Sequence, residues 1–189
     1  MSDWIRSRVV DWTWLGALAQ QVPSALLWFD RLLTQHKIGT VVELGTGVGT
    51  LTALFALHCT GRVITVDRND RRSDKTRDLH KRLDVDFLPI DLTAADTPPK
   101  IERLLSMRRG DEPVLLFIDG GDKRLEFEQY ADPARGIVKP GDLIAIHDCG
   151  HEFNPATIRE SVIAWGYLRI YEVQMAEENT RLAVYSVPR

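Results

Sequence analysis

The side chains best suited to chemistry stand at the ends of apolar runs. Glu43 stands next to last in Thr40-Val41-Val42-Glu43-Leu44, two residues before the first glycine of Gly45-Thr46-Gly47-Val48-Gly49. Glycines at that spacing let the backbone turn tightly and approach a ligand. A carboxylate just before them repels a pyrophosphate and favours a cationic sulfonium or ammonium ligand. Asp67 ends Val63-Ile64-Thr65-Val66-Asp67, where an acid can accept hydrogen bonds from both ribose hydroxyls. Arg68 beside it joins the same binding set, with Glu43, Gly45, Thr46, Gly47 and Gly49. Asp91 follows a third run and can reach an adenine amino group. Asp119 closes a fourth run, and His147-Asp148 follows a fifth. Two carboxylates and an imidazole can hold a divalent cation, Mg²⁺ or Mn²⁺, although histidine suits Mn²⁺ better than Mg²⁺. Alternatively, His147 is a metal-free general base. His151 is a further candidate to face a substrate.

Each group also has a plainer reading. The glycines suit any tight strand–helix turn. Asp67 and Asp119 precede turn residues, and His147-Asp148 can serve as capping groups. Asp122 and Lys123 lie close to Asp119, but Arg124 and Glu126 around them describe a solvent-facing turn.

These groups must be positioned by alternating elements. Short apolar runs at 40–44, 62–67, 85–90, 113–119 and 142–147 read as strands, the fourth continuous enough to be buried on both faces. Pro89 places the third run at a sheet edge. Helical stretches at 49–58, 97–108, 123–131 and 154–165 separate them, two opened by Thr97-Pro98 and Asn154-Pro155. That alternation implies βαβ units and a parallel sheet. Two last strands, 168–173 and 181–187, are separated by too short a polar stretch for a helix, so as neighbours they pair antiparallel. Residues 1–38 read as a helical cap, with helices at 11–21 and 24–36, on a catalytic α/β core at 39–189. Trp4, Trp12, Trp14 and Trp28 in it form a lid, a dimer surface or a hydrophobic cap on the sheet.

At 189 residues the chain suits a single domain. A net charge of -3, with basic residues interleaved among acids, gives no footprint for nucleic acid. The cluster of Arg68, Arg71, Arg72, Lys75 and Arg77 reads as a solvated helical surface. No apolar run approaches the roughly 20 residues that span a bilayer. Cys59 and Cys149 show no metal or disulfide spacing, and a cytoplasmic protein with free thiols is expected.

Four motifs in order carry a family resemblance: Glu-Leu-Gly-Thr-Gly-Val-Gly, Val-Ile-Thr-Val-Asp, Phe-Ile-Asp-Gly-Gly and Lys-Pro-Gly-Asp-Leu-Ile-Ala-Ile-His-Asp. They resemble class I S-adenosylmethionine-dependent methyltransferases over residues 40–148. The last two are similar to the small O-methyltransferase and cephalosporin-hydroxylase-like group. The resemblance implies a Rossmann-like α/β fold, with a seven-stranded mostly parallel sheet, an antiparallel C-terminal hairpin strand and helices on both faces. It implies S-adenosylmethionine as cofactor, a small-molecule hydroxyl acceptor, often a divalent cation, and a possible homodimer. It also makes the strands before Asp119 and Asp148 neighbours, so both acids emerge at one rim. Metal-binding relatives carry a carboxylate where His147 stands. Two other classes are weighed: an NAD-dependent oxidoreductase and a non-catalytic methyltransferase-like binding protein. Glu43, the lack of a glycine at position 50 and the terminal hairpin oppose the oxidoreductase.

Overall fold

The computed structural model describes residues 9–10, 13–14, 17–18, 21, 23–108, 110–170 and 181–189, the first three pairs as backbone only. Its main sheet has seven strands: β1 Thr40–Leu44, β2 Arg62–Asp67, β3 Val85–Pro89, β4 Val114–Ile118, β5 Leu143–Ile146, β6 Leu168–Ile170 and β7 Ala183–Ser186. Their order is β3-β2-β1-β4-β5-β7-β6. Neighbours from β3 to β5 pair parallel, and β7 is antiparallel to both β5 and β6. Pro89 lies on an edge strand, where its missing N–H breaks no ladder.

Alternation along the strands builds two cores. Val42, Leu44, Leu116, Ile118, Ile144 and Ile146 face helices α4 (Thr97–Ser106) and α5 (Lys123–Tyr130). Val41, Leu115, Phe117, Leu143 and Ala145 face α1 (Pro23–His36) and α2 (Thr50–His58). There Phe29, Phe55 and Phe117 meet edge to face, with ring centroids 5.1 to 5.4 Å apart. Covered on both sides, β1 and β4 are buried along their whole length. Helix α3 (Asp74–Arg82) joins β2 to β3, and α6 (Arg159–Ala164) continues a 3₁₀ turn at Pro155–Ile158 that Asn154 caps.

The N-terminal cap differs from expectation. No helix occupies 11–21 in the described residues. Val9–Val10 and Ala17–Leu18 pair antiparallel with Thr13–Trp14 on either side of it. Val9, Val10, Trp12, Thr13 and Trp14 cluster at its start, and Val10, Trp12 and Trp14 recur at every second position. Both features favour extended backbone over helix. Trp4 and Trp12, two of the proposed lid aromatics, lie outside the described residues, as do positions 171–180. Trp28 is half-buried on α1, against the core. The expected second helix is α1. No helix among the described residues is long and apolar enough to cross a membrane.

A buried ion pair sets the register of the sheet's other end. Asp142, 2% exposed, accepts from Arg108 Nη1 and Nη2 at 3.0 and 2.7 Å, and from the Val114 and Lys139 amides at 2.9 and 2.8 Å. It thereby joins the start of β4 to the start of β5. Asp142→Ala leaves the Arg108 charge buried and uncompensated, and should cost about 3–5 kcal/mol of stability. A thermal melt should show a fall of about 10 °C.

Candidate active site

The carboxyl ends of β1, β2, β4 and β5 open into one cleft of about 480 Å³, a volume suited to a small ligand. The loop Gly45–Gly49 forms one wall. Gly45 has φ of 97°, and a Cβ there would collide with the carbonyl oxygen of Asp119. The close approach is held by the Asp119 amide, which donates to Leu44 O at 2.8 Å, and by the Gly45 amide, which donates to Val66 O at 2.9 Å. The loop therefore rests on the ends of both β4 and β2.

Glu43 lies at the cleft's floor and is 1% exposed. The hydroxyls of Thr52 and Thr65 each donate to its Oε2 at 2.5 Å. With the Thr65 proton so committed, Thr46 donates to Thr65 at 2.6 Å. Burial nevertheless pushes the Glu43 carboxyl up to about 8, against the lowering effect of the two threonines. An acid held this way gains from a cation arriving in the cleft.

Asp67 and Asp91 line the same cleft. Asp67 accepts from the Gly47 amide at 3.1 Å through Oδ2 and from the Asn69 amide at 3.1 Å through Oδ1, so it also braces the loop. Arg68 lines the wall and is exposed. The Asp91 carboxylate caps its own turn through the Thr93 amide and hydroxyl, at 2.9 and 2.7 Å. The basic cluster is not wholly a solvated surface. Arg72 lies 4.0 Å over the Phe87 ring, clasps Asp70 at 2.8 and 3.0 Å, and its Nη1 donates to His80 Nδ1 at 3.0 Å. His80 is buried, and its Nε2–H donates to Gly49 O at 2.7 Å. Burial holds its pKa down, so the ring stays a neutral prop beneath the loop.

Asp119, His147 and Asp148 converge on the opposite wall. One ligand atom from each lies within 4.8 Å of the others, close enough to hold a metal ion. His147 Nδ1 is 3.1 Å from Asp119 Oδ1 and 3.3 Å from Asp148 Oδ2. As donor at Nδ1, the neutral imidazole keeps its lone pair on Nε2. One nitrogen with two carboxylate oxygens suits Mn²⁺ better than Mg²⁺.

His151 does not join them. Asp148 adopts a left-handed backbone with φ of 56°, and its carbonyl accepts the amides of His151, Glu152 and Phe153. This tight turn buries Phe153 and leaves His151 exposed, outside the cleft's lining. Asp122 is also no base, because its carboxylate caps α5 by accepting the Leu125 amide at 2.9 Å. Cys149 lies nearby, but burial pushes its thiol up to about 12.

Gln21, Lys123 and Glu152 also line the cleft. Gln21 Nε2 donates to Asp119 Oδ2 at 3.3 Å. Lys123, read from sequence as solvent-facing, is 6% exposed. Its ammonium is 3.1 Å from Glu152, 3.6 Å from Asp119 and 3.7 Å from Asp148. The signal lay in its place after Asp122: the first residue of a helix directs its side chain back toward the preceding turn, here the end of β4. Behind it Glu126 is buried, and burial pushes it up to about 7. A Cβ on Gly120 would meet the end of the Glu126 side chain, which would have to shift to admit it.

Glu43 makes stability pH-dependent. Its folded pKa is raised, so between about pH 4.5 and pH 8 the native state binds more protons than the unfolded chain. Stability should fall as pH rises through that window, by on the order of a few kcal/mol. Chemical denaturation at a series of pH values should show this slope. Glu43→Gln should flatten most of it, leaving the smaller contribution of Glu126, which has the same sign.

Residues 7–169 match the family described as Rhamnosyl O-methyltransferase/CmcI. No protein of curated function matches the chain by sequence. Among solved structures, the chain is similar to CmcI without ligand, at 16% identity and a TM-score of 0.68, over 94% of this chain and 76% of that one. A Mg-SAM form of CmcI is similar at 16% identity and a TM-score of 0.63, over 92% and 75%. The O-methyltransferase TomG from Streptomyces achromogenes, in complex with SAM, is similar at 14% identity and a TM-score of 0.57, over 90% and 82%. These likenesses concern the fold; the family match spans most of the chain, and the chain belongs to the rhamnosyl O-methyltransferase/CmcI family.

Proposed function

We propose that this O-methyltransferase transfers the methyl group of S-adenosylmethionine to a hydroxyl oxygen of a small molecule. The observation that carries the reading is the shared cleft: a glycine loop over a buried acid on one wall, and the Asp119–His147–Asp148 rim on the other. The glycine loop, Gly45 to Gly49 with Thr46, gives backbone close to the cofactor. Asp67 accepts the ribose hydroxyls, with Arg68 and Asp91 along the nucleoside. Asp119 supplies negative charge toward the sulfonium, and Glu43 adds to it as it ionises. The sulfonium-bearing structures of CmcI and TomG support this choice of ligand.

The reaction needs a deprotonated acceptor in line with the methyl carbon. His147 is the base in this reading. Asp119 accepts from Nδ1–H, fixing the tautomer and steadying the imidazolium that forms. The acceptor's proton passes to Nε2, the O–CH₃ bond forms, and the S–CH₃ bond breaks to leave the neutral thioether. Asp119, His147 and Asp148 are also the residues that would hold a divalent cation, whose chemistry is to acidify a hydroxyl bound to it.

Calorimetry should detect binding of S-adenosylmethionine and none of NAD; the reverse would sink the proposal. With a panel of phenolic, sugar and hydroxy-acid acceptors, His147→Ala should lower turnover by about 10²–10⁴-fold and leave cofactor affinity unchanged. Failure of every acceptor would leave a non-catalytic binding protein. The preference for S-adenosylmethionine over its neutral demethylated product should grow about tenfold as pH rises through the Glu43 titration, and Glu43→Gln should abolish that growth.

A further inference from the structure

Two carboxylates as close as Asp119 and Asp148 repel one another unless a positive charge lies between them. The structure supplies one from within the chain. Lys123 Nζ lies 3.6 Å from Asp119 Oδ1 and 3.7 Å from Asp148 Oδ2. These are the same two oxygens that face His147 Nδ1, at 3.1 and 3.3 Å. The ammonium is held from behind as well, by Gly120 O at 3.4 Å and Glu152 Oε2 at 3.1 Å. At 6% exposed, and rooted in the first turn of α5, it has little freedom to leave.

We propose that Lys123 is the resident counter-ion of the Asp119–Asp148 pair, and that its ammonium and a divalent cation are alternative occupants of the same carboxylate oxygens. A divalent ion on those oxygens would meet the ammonium at close range, in a cleft where screening by water is reduced. The ion must therefore displace Lys123, and the chain keeps its rim charge-balanced without metal. His147 follows the exchange. With Lys123 in place, its Nδ1 carries the proton shared with the two acids; with an ion in place, Nδ1 offers its lone pair. This inference rests on the rim assigned to methyl transfer, but it is read without catalysis.

The test is Mn²⁺ binding by calorimetry at fixed pH, without cofactor. Lys123→Met should bind Mn²⁺ at least about tenfold more tightly than the wild-type chain, because the competing charge is gone. Lys123→Arg, which keeps the charge, should bind as weakly as wild type. Adding Asp148→Ala to Lys123→Met should remove the gain. Equal or weaker Mn²⁺ binding by Lys123→Met would overturn the proposal. If that variant melts below the working temperature, the wild-type chain is read instead, by nitrogen NMR of its lysine ammonium groups. A solvent-protected Lys123 signal that is lost on adding Zn²⁺ supports competition, and a signal that persists because no Zn²⁺ binds overturns it. Zn²⁺ binding with the protected signal unchanged overturns it. Cofactor titrations on the same samples separate this outcome from failure of the methyltransferase reading.

Discussion

The parallel pairing of β1 with β4 is the constraint on which the rest depends. Leu44 stands opposite Ile118, and the ladder runs one bond further, from the Asp119 amide to Leu44 O. The next residue on one strand is Gly45 and on the other Asp119, in contact with no room for a Cβ between them. The glycine-loop wall and the acidic rim are thus two sides of a single strand junction. Movement of either strand end would shift both. Parallel strands buried on both faces give that junction its rigidity, since neither β1 nor β4 has an exposed face on which to slip.

Charge is the second organising quantity. Glu43, Asp67, Asp91, Asp119, Asp148 and Glu152 all line one cleft, and Lys123 is the ammonium buried among them. Such a surface disfavours a pyrophosphate and favours a cation, whether sulfonium or metal. The burdens are not equal. Glu43 is cut off from water and has hydroxyl donors alone, so it resists ionisation. Asp67 is stitched to backbone amides at the loop's edge, and Asp119 has Gln21, His147 and Lys123 about it. One cleft therefore presents acids of the same type in different surroundings, with their protons held differently.

Much of the molecule was legible in the chain. Apolar runs ending at Glu43-Leu44, Asp67, Asp119 and His147 located four strand ends, because buried parallel strands must be apolar and ligand-facing groups must follow them. Asn154-Pro155 and Pro89 were read correctly from local geometry alone. The stretch at 11–21 was read as a helix, although Val9, Val10, Trp12, Thr13 and Trp14 just before and within it favour extended backbone. His151 was misplaced because nothing in Asp148-Cys149-Gly150-His151 announces a left-handed aspartate, and that one dihedral angle decides which side chain turns outward.

From residue 23 onward the sequence by itself determined the order of strands and helices, the position of the glycine loop and the identity of the acids around it. These follow from periodicity, turn chemistry and the residue types themselves, all of which are local. Only the tertiary structure decided which charges meet. Lys123 looked solvated between Arg124 and Glu126, yet it is buried against acids from β4 and from the loop after β5. Arg72 looked like surface, yet through His80 it braces Gly49 from the loop before α3. The reason is physical: a side chain's charge partners are set by distance in space, and these distances close only when strands far apart in sequence lie side by side.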